Sequence, residues 1–240
     1  MEKWVVTAKK ADFQGIGRKY GIDPVIARII RNRDITGDEA IEEYLNGTLA
    51  DIPSWKLLKD IDKAVEIISG KIDAGTKMRI IGDYDIDGVT ATYILLKGFK
   101  RLGANVDTYI PDRVADGYGI HDHLIKKAME DGIDTIVTCD NGISASSQIT
   151  YAKELGMTVV VTDHHEVPFT DTEEGRTYIL PPADAIINPK LADCTYPNKN
   201  ICGAVVAMKL VFALYEKYRL PEEEKEDFLE PAAIATVGDI

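Results

Sequence analysis

The stretch GDYDIDGVTAT, Gly82 to Thr92, directly follows the short run MRII, Met78 to Ile81. Its aspartates Asp83, Asp85 and Asp87 occupy alternate positions, and alternate residues share one face of extended backbone. Carboxylates crowded on one face repel one another unless a cation or strong hydrogen bonds hold them. A glycine and a helix-like apolar segment come next. The stretch therefore indicates a strand that ends in an acidic site and leads into a helix.

The same alternation of strand and helix continues along the chain. Short apolar runs predict the strands KMRIIGDY, NVDTYIP, DTIVTCD, TVVVTDH and ADAIINP, and the segments that follow them predict helices, the last being GAVVAMKLVFALYEKYR. This pattern is typical of an α/β fold with a mostly parallel sheet covered by helices on both faces. Glu166 to Pro182 is expected to be a polar excursion. Pro231 is expected to interrupt a last helix.

The first 60 residues or so contain no such strands and predict short helices. Pro24 suits the first turn of a helix over VIARIIRNR, and Thr36-Gly37-Asp38-Glu39 matches a capping box before AIEEYL. Residues 60 to 75 predict an amphipathic helix that ends at a glycine. We therefore expect a small N-terminal helical segment over residues 1–60 and an α/β domain over residues 61–240.

Composition restricts the class of protein. The 240 residues are 45% apolar, which is enough for a sizeable core, and no run of 18 apolar residues predicts a membrane span. The three cysteines have no CxxC spacing, which is typical of free thiols in the cytoplasm. The net charge of −12 argues against wide, non-specific binding of phosphate backbone by this chain alone.

Acidic residues follow several of the predicted strands. In open parallel sheets, ligands bind beyond the carboxyl ends of the strands. Aspartates also cap helices, and for any single one that role is a sufficient explanation. Four acidic segments on one edge instead indicate a site for Mn²⁺, Zn²⁺, Fe²⁺ or Mg²⁺. The residues are Asp83, Asp85 and Asp87, then Asp140, then Asp163-His164-His165, and finally Asp239.

Other ligand sites fit the sequence less well. DYDIDG resembles the start of an EF-hand loop, but the twelfth loop position is Ile94, where a calcium loop needs a glutamate. Neither a P-loop nor a GxGxxG motif is present. Gly203 begins a predicted helix, and its backbone N–H could bind a phosphate or simply belong to a close-packed helix start.

Six motifs together resemble a known family. GDYDIDGVTAT, IPDRVADGYG, CDNGIS, TDHHE, IINPK and TVGDI occur in the order seen in the DHH-superfamily phosphoesterases. The chain is most similar to the RecJ branch, whose members are single-strand-specific 5′→3′ DNA exonucleases. The resemblance covers nearly the whole chain and includes the N-terminal helical segment.

The resemblance implies a phosphodiesterase with two ions of Mn²⁺ or Mg²⁺ per site. Asp140 matches the carboxylate that bridges both metals, and Asp83 matches an extra leading aspartate of this branch. The full implied ligand set is Asp83, Asp85, Asp87, Asp140, His164 and Asp239.

Further roles follow from the resemblance. His165 is implied to contact the scissile phosphate, and Asp163 to orient a ligand from behind. Arg113 is implied to bind a phosphate, for which the alternative is a surface salt bridge. Tyr118 could stack on a base.

The chain departs from the family pattern at two places. Ile81 stands where many relatives have a histidine ligand, so Asp83 or weaker binding must compensate. Asp239 is the penultimate residue, whereas the family continues past this motif into further domains. We therefore expect the α/β domain to be truncated at its C-terminal end, with weak nuclease activity or none.

The sequence thus predicts a single-stranded-DNA exonuclease of DNA repair and recombination. Two other functions stay open, a DHH phosphodiesterase for oligoribonucleotides or cyclic dinucleotides and a non-catalytic DHH-like binding module. We expect a monomer with no membrane association. In the full-length protein, a single-strand-binding protein or a helicase is the expected partner.

Overall fold

The computed structural model describes residues 9–117, 119–172 and 175–239. Contacts divide the chain into a unit that ends at Pro53 and a second unit that begins at Ser54. The first unit contains three helices, α1 (Phe13–Tyr20), α2 (Pro24–Asn32) and α3 (Asp38–Asn46), followed by a 3-10 helix (Leu49–Asp51).

Two predictions for the first unit have different outcomes. Pro24 is the first residue of α2, as predicted, and Asp23 caps that helix through the backbone N–H of Val25. The capping box before α3 is wrong. The capping position is occupied by Gly37 and not by Thr36, and no side chain caps the helix. The φ of Gly37 is +89°, a backbone conformation that glycine adopts far more readily than other residues.

The second unit contains the predicted sheet. Its strands are β1 (Met78–Ile81), β2 (Val106–Tyr109), β3 (Thr135–Cys139), β4 (Thr158–Thr162), β5 (Phe169–Thr172), β6 (Gly175–Tyr178) and β7 (Ala185–Ile187). Its α-helices are α4 (Ile61–Asp73), α5 (Ile86–Arg101), α6 (Asp122–Glu130), α7 (Ser146–Glu154), α8 (Gly203–Lys217) and α9 (Leu229–Gly238). Two 3-10 helices are also present (Trp55–Leu57 and Glu222–Phe228).

Five strands form one parallel sheet in the order β2-β1-β3-β4-β7. The chain runs from β1 outward to β2 and then returns past β1 to β3. Because such crossovers are right-handed, α5 lies on one face of the sheet, and α6 and α7 lie on the other. The predicted α/β fold is therefore confirmed. The strand order reverses between β1 and β3, which is where open sheets bind ligands.

Burial explains the order of the layers. Every residue of β1 and β3 is buried, which is typical of central parallel strands covered on both faces. Helices α4, α5 and α8 pack together on one side. A side chain at Gly98 of α5 would lie 2.6 Å from Val211 of α8, so the absence of a side chain lets these two helices approach closely.

The structure corrects two expectations near the end of the sheet and the end of the chain. The polar excursion contains an exposed antiparallel hairpin, β5 with β6, in which Phe169 pairs with Tyr178. Pro231 does not interrupt a helix. It lies in the first turn of α9, where a backbone N–H has no intrahelical partner to lose.

The cysteines agree with the prediction of free thiols. Cys139, Cys194 and Cys202 are buried and free. Among the helices of the described residues, none is both long and apolar enough to cross a membrane.

Lys209 of α8 is 3% exposed, and burial lowers its pKa to about 8. Between that value and the ordinary lysine pKa, the unfolded chain binds more protons than the folded chain. The stability contribution of Lys209 therefore rises with pH from about 8 to about 10. The ammonium of Lys209 also lies 5.4 Å from the ring centre of Tyr196. We expect the effect of Lys209→Met on stability to be more favourable at pH 7 than at pH 10, by about 2–3 kcal/mol.

Urea unfolding at both pH values measures this difference. Lys100→Met, at an exposed position of α5, serves as the control and should change stability little at either pH. An equal effect of Lys209→Met at pH 7 and pH 10 would contradict the assignment.

Candidate metal centre

The candidate site lies at the carboxyl edge of the sheet, on both sides of the point where the strand order reverses. β1 leads into the acidic segment Asp83 to Asp87, β3 ends beside Asp140, and β4 leads into Asp163 to His165. The end of α9 adds Asp239, the residue that caps this helix. The fold therefore brings together residues that are far apart in the sequence.

His164 is at the centre of one group of ligand atoms. Its Nε2 lies 3.0 Å from Asp140 Oδ1, 3.4 Å from Asp87 Oδ2 and 3.9 Å from Asp239 Oδ2. The ligand atoms of Asp87, His164 and Asp239 lie within 4.8 Å of one another. Carboxylate oxygens together with an imidazole nitrogen form a donor set that suits Mn²⁺.

Asp83 provides the clearest sign of a cation. The residue is 1% exposed, and neither carboxylate oxygen has a hydrogen-bond partner of ordinary geometry among the described residues. Burial, and then the charge of Asp85, raise the pKa of Asp83. Ligand atoms of Asp83, Asp85 and Asp140 lie within 4.8 Å of one another. An unsatisfied buried carboxylate is costly, and a bound cation removes that cost.

Asp140 belongs to two groups of ligand atoms, one with His164 and His165 and one with Asp83 and Asp85. Its φ of +59° is left-handed, a conformation that aspartate adopts more readily than most residues. Burial, and then the charges of neighbouring aspartates, raise the pKa of Asp140 to about 10. Asp140 is therefore placed where one carboxylate could bind two cations at once.

The first two N–H groups of α8 both donate to the carboxylate of Asp87. The backbone N–H of Gly203 donates to Asp87 Oδ2 at 2.5 Å, and that of Ala204 donates to Oδ1 at 2.8 Å. Gly203 itself is buried. The phosphate-binding role predicted for Gly203 is therefore wrong, because the helix start binds and orients a protein carboxylate instead.

The first turns of α5 and α8 both need a glycine, Gly88 in α5 and Gly203 in α8. A side chain at Gly203 would lie 2.8 Å from Asp140 Cβ and 2.9 Å from Asp87 Oδ2. A side chain at Gly88 would lie 2.6 Å from Asp83 Cβ. Both distances are shorter than real carbon contacts, so these glycines set the close approach of the helices to the acidic site.

Asp163 holds His165 in place. Its Oδ1 accepts from His165 Nδ1 at 2.7 Å and from the backbone N–H of His164 at 2.7 Å, and its Oδ2 accepts from the backbone N–H of Ile143 at 2.8 Å. Burial alone would raise the pKa of Asp163, but the hydrogen bond from His165 and the backbone donors lower it. The same hydrogen bond raises the pKa of His165. Asp163 thus favours a charged imidazole, with the side chain of His165 42% exposed at the site.

Two buried asparagines, which are not among the predicted site residues, support the site. Asn141 Nδ2 donates to the backbone carbonyls of Ile81 and Cys139, which ties the turn after β3 to the end of β1. Asn188 Nδ2 donates to the carbonyl of His165 at 3.0 Å. Asn188 directly follows β7, and Asn141 is separated from the end of β3 by one residue, a signal that could have identified them.

The remaining residues near the start of α5 fit the departure noted at Ile81. Ile81 is fully buried in β1 and offers no ligand. Asp85 caps α5 by accepting from the backbone N–H of Gly88 at 2.9 Å. Asp83 lies close to Asp85. It can therefore supply a metal ligand in place of the histidine that many relatives have at the position of Ile81.

The loop after β2 carries Arg113. Its guanidinium lies 5.2 Å from the ring centre of Tyr84, and among the described residues it has no ion pair, so the salt-bridge alternative is not what the structure has. Asp116 fixes the loop by accepting from the backbone N–H of Asp112 at 2.8 Å. Tyr118, predicted to stack on a base, lies outside the described residues.

The parallel sheet and the carboxylate–imidazole cluster at its switch point define an α/β protein with a candidate divalent-metal site. Residues 77–236 match the DHH family, N-terminal domain. The chain belongs to this family.

Several named relatives are similar over most of the chain. The single-stranded-DNA-specific exonuclease RecJ of Salmonella typhimurium is 35% identical over 91% of the chain and 37% of its own length. The protein of the same name from Bacillus subtilis is 36% identical over 99% of the chain and 28% of its own length. A crystal structure of RecJ from Thermus thermophilus in complex with Mn²⁺ matches 95% of the chain and 30% of its own, with 29% identity and a TM-score of 0.68. The chain thus spans little more than a third of the Salmonella relative, and less of the other two.

Proposed function

We propose that this chain forms the metal-dependent catalytic domain of a 5′→3′ exonuclease that acts on single-stranded DNA. The observation that carries the proposal is the buried carboxylate of Asp83, which lies beside Asp85 and Asp140 and has no hydrogen-bond partner of ordinary geometry among the described residues. Similarity to exonucleases named RecJ, one of them crystallised with Mn²⁺, supports both the reaction and the choice of Mn²⁺ or Mg²⁺.

The residues fit two cations. We assign one to Asp83, Asp85 and Asp140 and the other to Asp87, His164 and Asp239, with Asp140 shared between them. Bound there, the two cations would supply an activated hydroxide and would polarise a phosphoryl oxygen. The backbone donors at the start of α8 keep the carboxylate of Asp87 oriented for this role.

Two cationic side chains can bind the substrate phosphate. Because Asp163 raises the pKa of His165, the imidazole can retain its proton and donate a hydrogen bond to a phosphate oxygen. Arg113 is exposed and lies on the ring of Tyr84, so its N–H groups are available to a second phosphate. These roles explain how an acidic site accepts an anionic strand.

The proposal includes a monomeric protein in the cytoplasm that acts in DNA repair. The three free, buried cysteines support the compartment. A single-strand-binding protein or a helicase is the proposed partner of the full-length protein.

We expect oligonucleotides labelled at either end to lose the 5′ label first, with mononucleotides as products and blunt duplex spared. A site reached by a single strand explains the discrimination against duplex. The assay uses the chain in excess Mn²⁺. Loss of the 3′ label first would refute the polarity, and cleavage of dinucleotides alone would favour a phosphodiesterase for small substrates.

A further inference from the structure

The first unit carries a positive segment in an acidic protein. Residues 9–33 contain seven lysines and arginines and two aspartates, a net charge of +5, whereas the whole chain has a net charge of −12. Residues 54–240 contain 20 basic and 31 acidic residues, a net charge of −11. The excess of cations is therefore confined to α1, α2 and the residues immediately around them.

Only some of the basic side chains of this segment form ion pairs. Lys9 and Arg31 form ion pairs with Asp34, and Lys19 forms one with Asp38. The other basic side chains of the segment are exposed and have no ion pair among the described residues. They are Lys10, Arg18, Arg28 and Arg33.

The outward face of α2 combines such cations with apolar side chains. Val25 and Ile29 are 62% and 40% exposed, whereas Ala27 and Ile30 are buried. Arg28 and Ile29 lie three and four positions after Val25, so both neighbour Val25 on the outward side of the helix. The guanidinium of Arg28 lies 5.0 Å from the ring centre of Phe13, which links α2 to α1.

We propose that the outward face of α1 and α2 binds a strand of single-stranded nucleic acid, through residues that are not part of the candidate metal centre. Arginine matches phosphate geometry, and apolar side chains can contact unstacked bases and sugars, which duplex DNA does not offer. A polyanion is the complementary partner, because four exposed cations of this segment have no ion pair with a carboxylate among the described residues. This inference rests on the proposed function only for the assignment of the bound strand as DNA.

The test measures binding of a labelled 20-nucleotide oligothymidylate to the 240-residue chain by fluorescence anisotropy in EDTA, from 50 to 300 mM salt. Arg28→Glu/Arg33→Glu is expected to weaken binding about tenfold or more and to lower the salt slope by about 1.4, which corresponds to two lost phosphate contacts. Lys63→Glu/Lys100→Glu changes the net charge equally at exposed positions of α4 and α5 and should leave affinity nearly unchanged. Val25→Ala/Ile29→Ala should weaken binding and keep the salt slope.

Equal losses for both charge-reversal pairs would overturn the proposal, because net charge alone would then explain binding. Unchanged affinity of Arg28→Glu/Arg33→Glu would overturn it as well. So would stronger wild-type binding to phosphatidylserine vesicles than to the oligonucleotide, which would identify a lipid surface as the partner. Mn²⁺-dependent hydrolysis of bis-p-nitrophenyl phosphate, measured in parallel, tests the proposed function separately, since that substrate is too small to need this face.

Discussion

Asp140→Asn is expected to abolish the binding of both cations and to lower nuclease activity by about a thousandfold or more, equivalent to about 4 kcal/mol of transition-state stabilisation. Asp140 lies in two groups of ligand atoms, so one substitution removes an anionic oxygen from each. Asparagine tolerates the left-handed backbone at this position, and the fold should be retained.

The same substitution should stabilise the protein when no metal is bound. Burial and neighbouring aspartates raise the pKa of Asp140, so the folded state holds its proton more tightly than the unfolded state does. The stability contribution of this group is then present at low pH and is lost as pH rises from about 4 towards 10. A neutral amide avoids that loss. In EDTA at pH 7.5 the variant should melt at a higher temperature than wild type.

Metal content by mass spectrometry, thermal melts with and without Mn²⁺, and nuclease rates test these expectations together. Asp134→Asn is the matched control, because Asp134 precedes the same strand at the opposite edge of the sheet, where it pairs with Lys71. It should keep metal binding and the rise in melting temperature with Mn²⁺. An Asp140→Asn protein with a full complement of two ions would exclude the shared carboxylate.

The sheet and most of the acidic site could be predicted from the sequence because they depend on local signals. Short apolar runs mark strands that are buried on both faces. Asp140 directly follows one of these strands, and Asp83 is separated from the end of another by one residue. Parallel strands place their carboxyl ends on one edge, so the residues after β1, β3 and β4 had to meet once the fold class was known.

Local sequence signals could not show which polar groups form hydrogen bonds with one another across the fold. Asp87 and Gly203 are separated by 116 positions, and their hydrogen bond depends on how α8 packs on the sheet. The helix start looked available for a phosphate because its carboxylate partner was invisible in the sequence. The failed capping box before α3 is a similar case, since the backbone of Gly37 rather than the side chain of Thr36 decides where the helix begins.

Gly203→Ala is expected to lower metal affinity by about 10–100-fold and to reduce activity at least as much, although no ligand is altered. The added methyl group would lie 2.8 Å from Asp140 Cβ and 2.9 Å from both Asp140 Oδ1 and Asp87 Oδ2. Either the start of α8 or the two carboxylates must move, and both movements break the hydrogen bonds that orient Asp87. Calorimetric titration with Mn²⁺ measures the loss of affinity.

Gly70→Ala is the matched control for this experiment. Gly70 lies within α4, and a side chain there would meet nothing within 4 Å. Alanine in a helix interior should stabilise the protein by about 0.5–1 kcal/mol and leave Mn²⁺ affinity unchanged. If Gly203→Ala bound Mn²⁺ as tightly as wild type, the close approach of α8 would not set the geometry of the carboxylates. If it bound weakly but recovered full activity in excess Mn²⁺, the helix start would control occupancy alone and not the alignment of the bound ions.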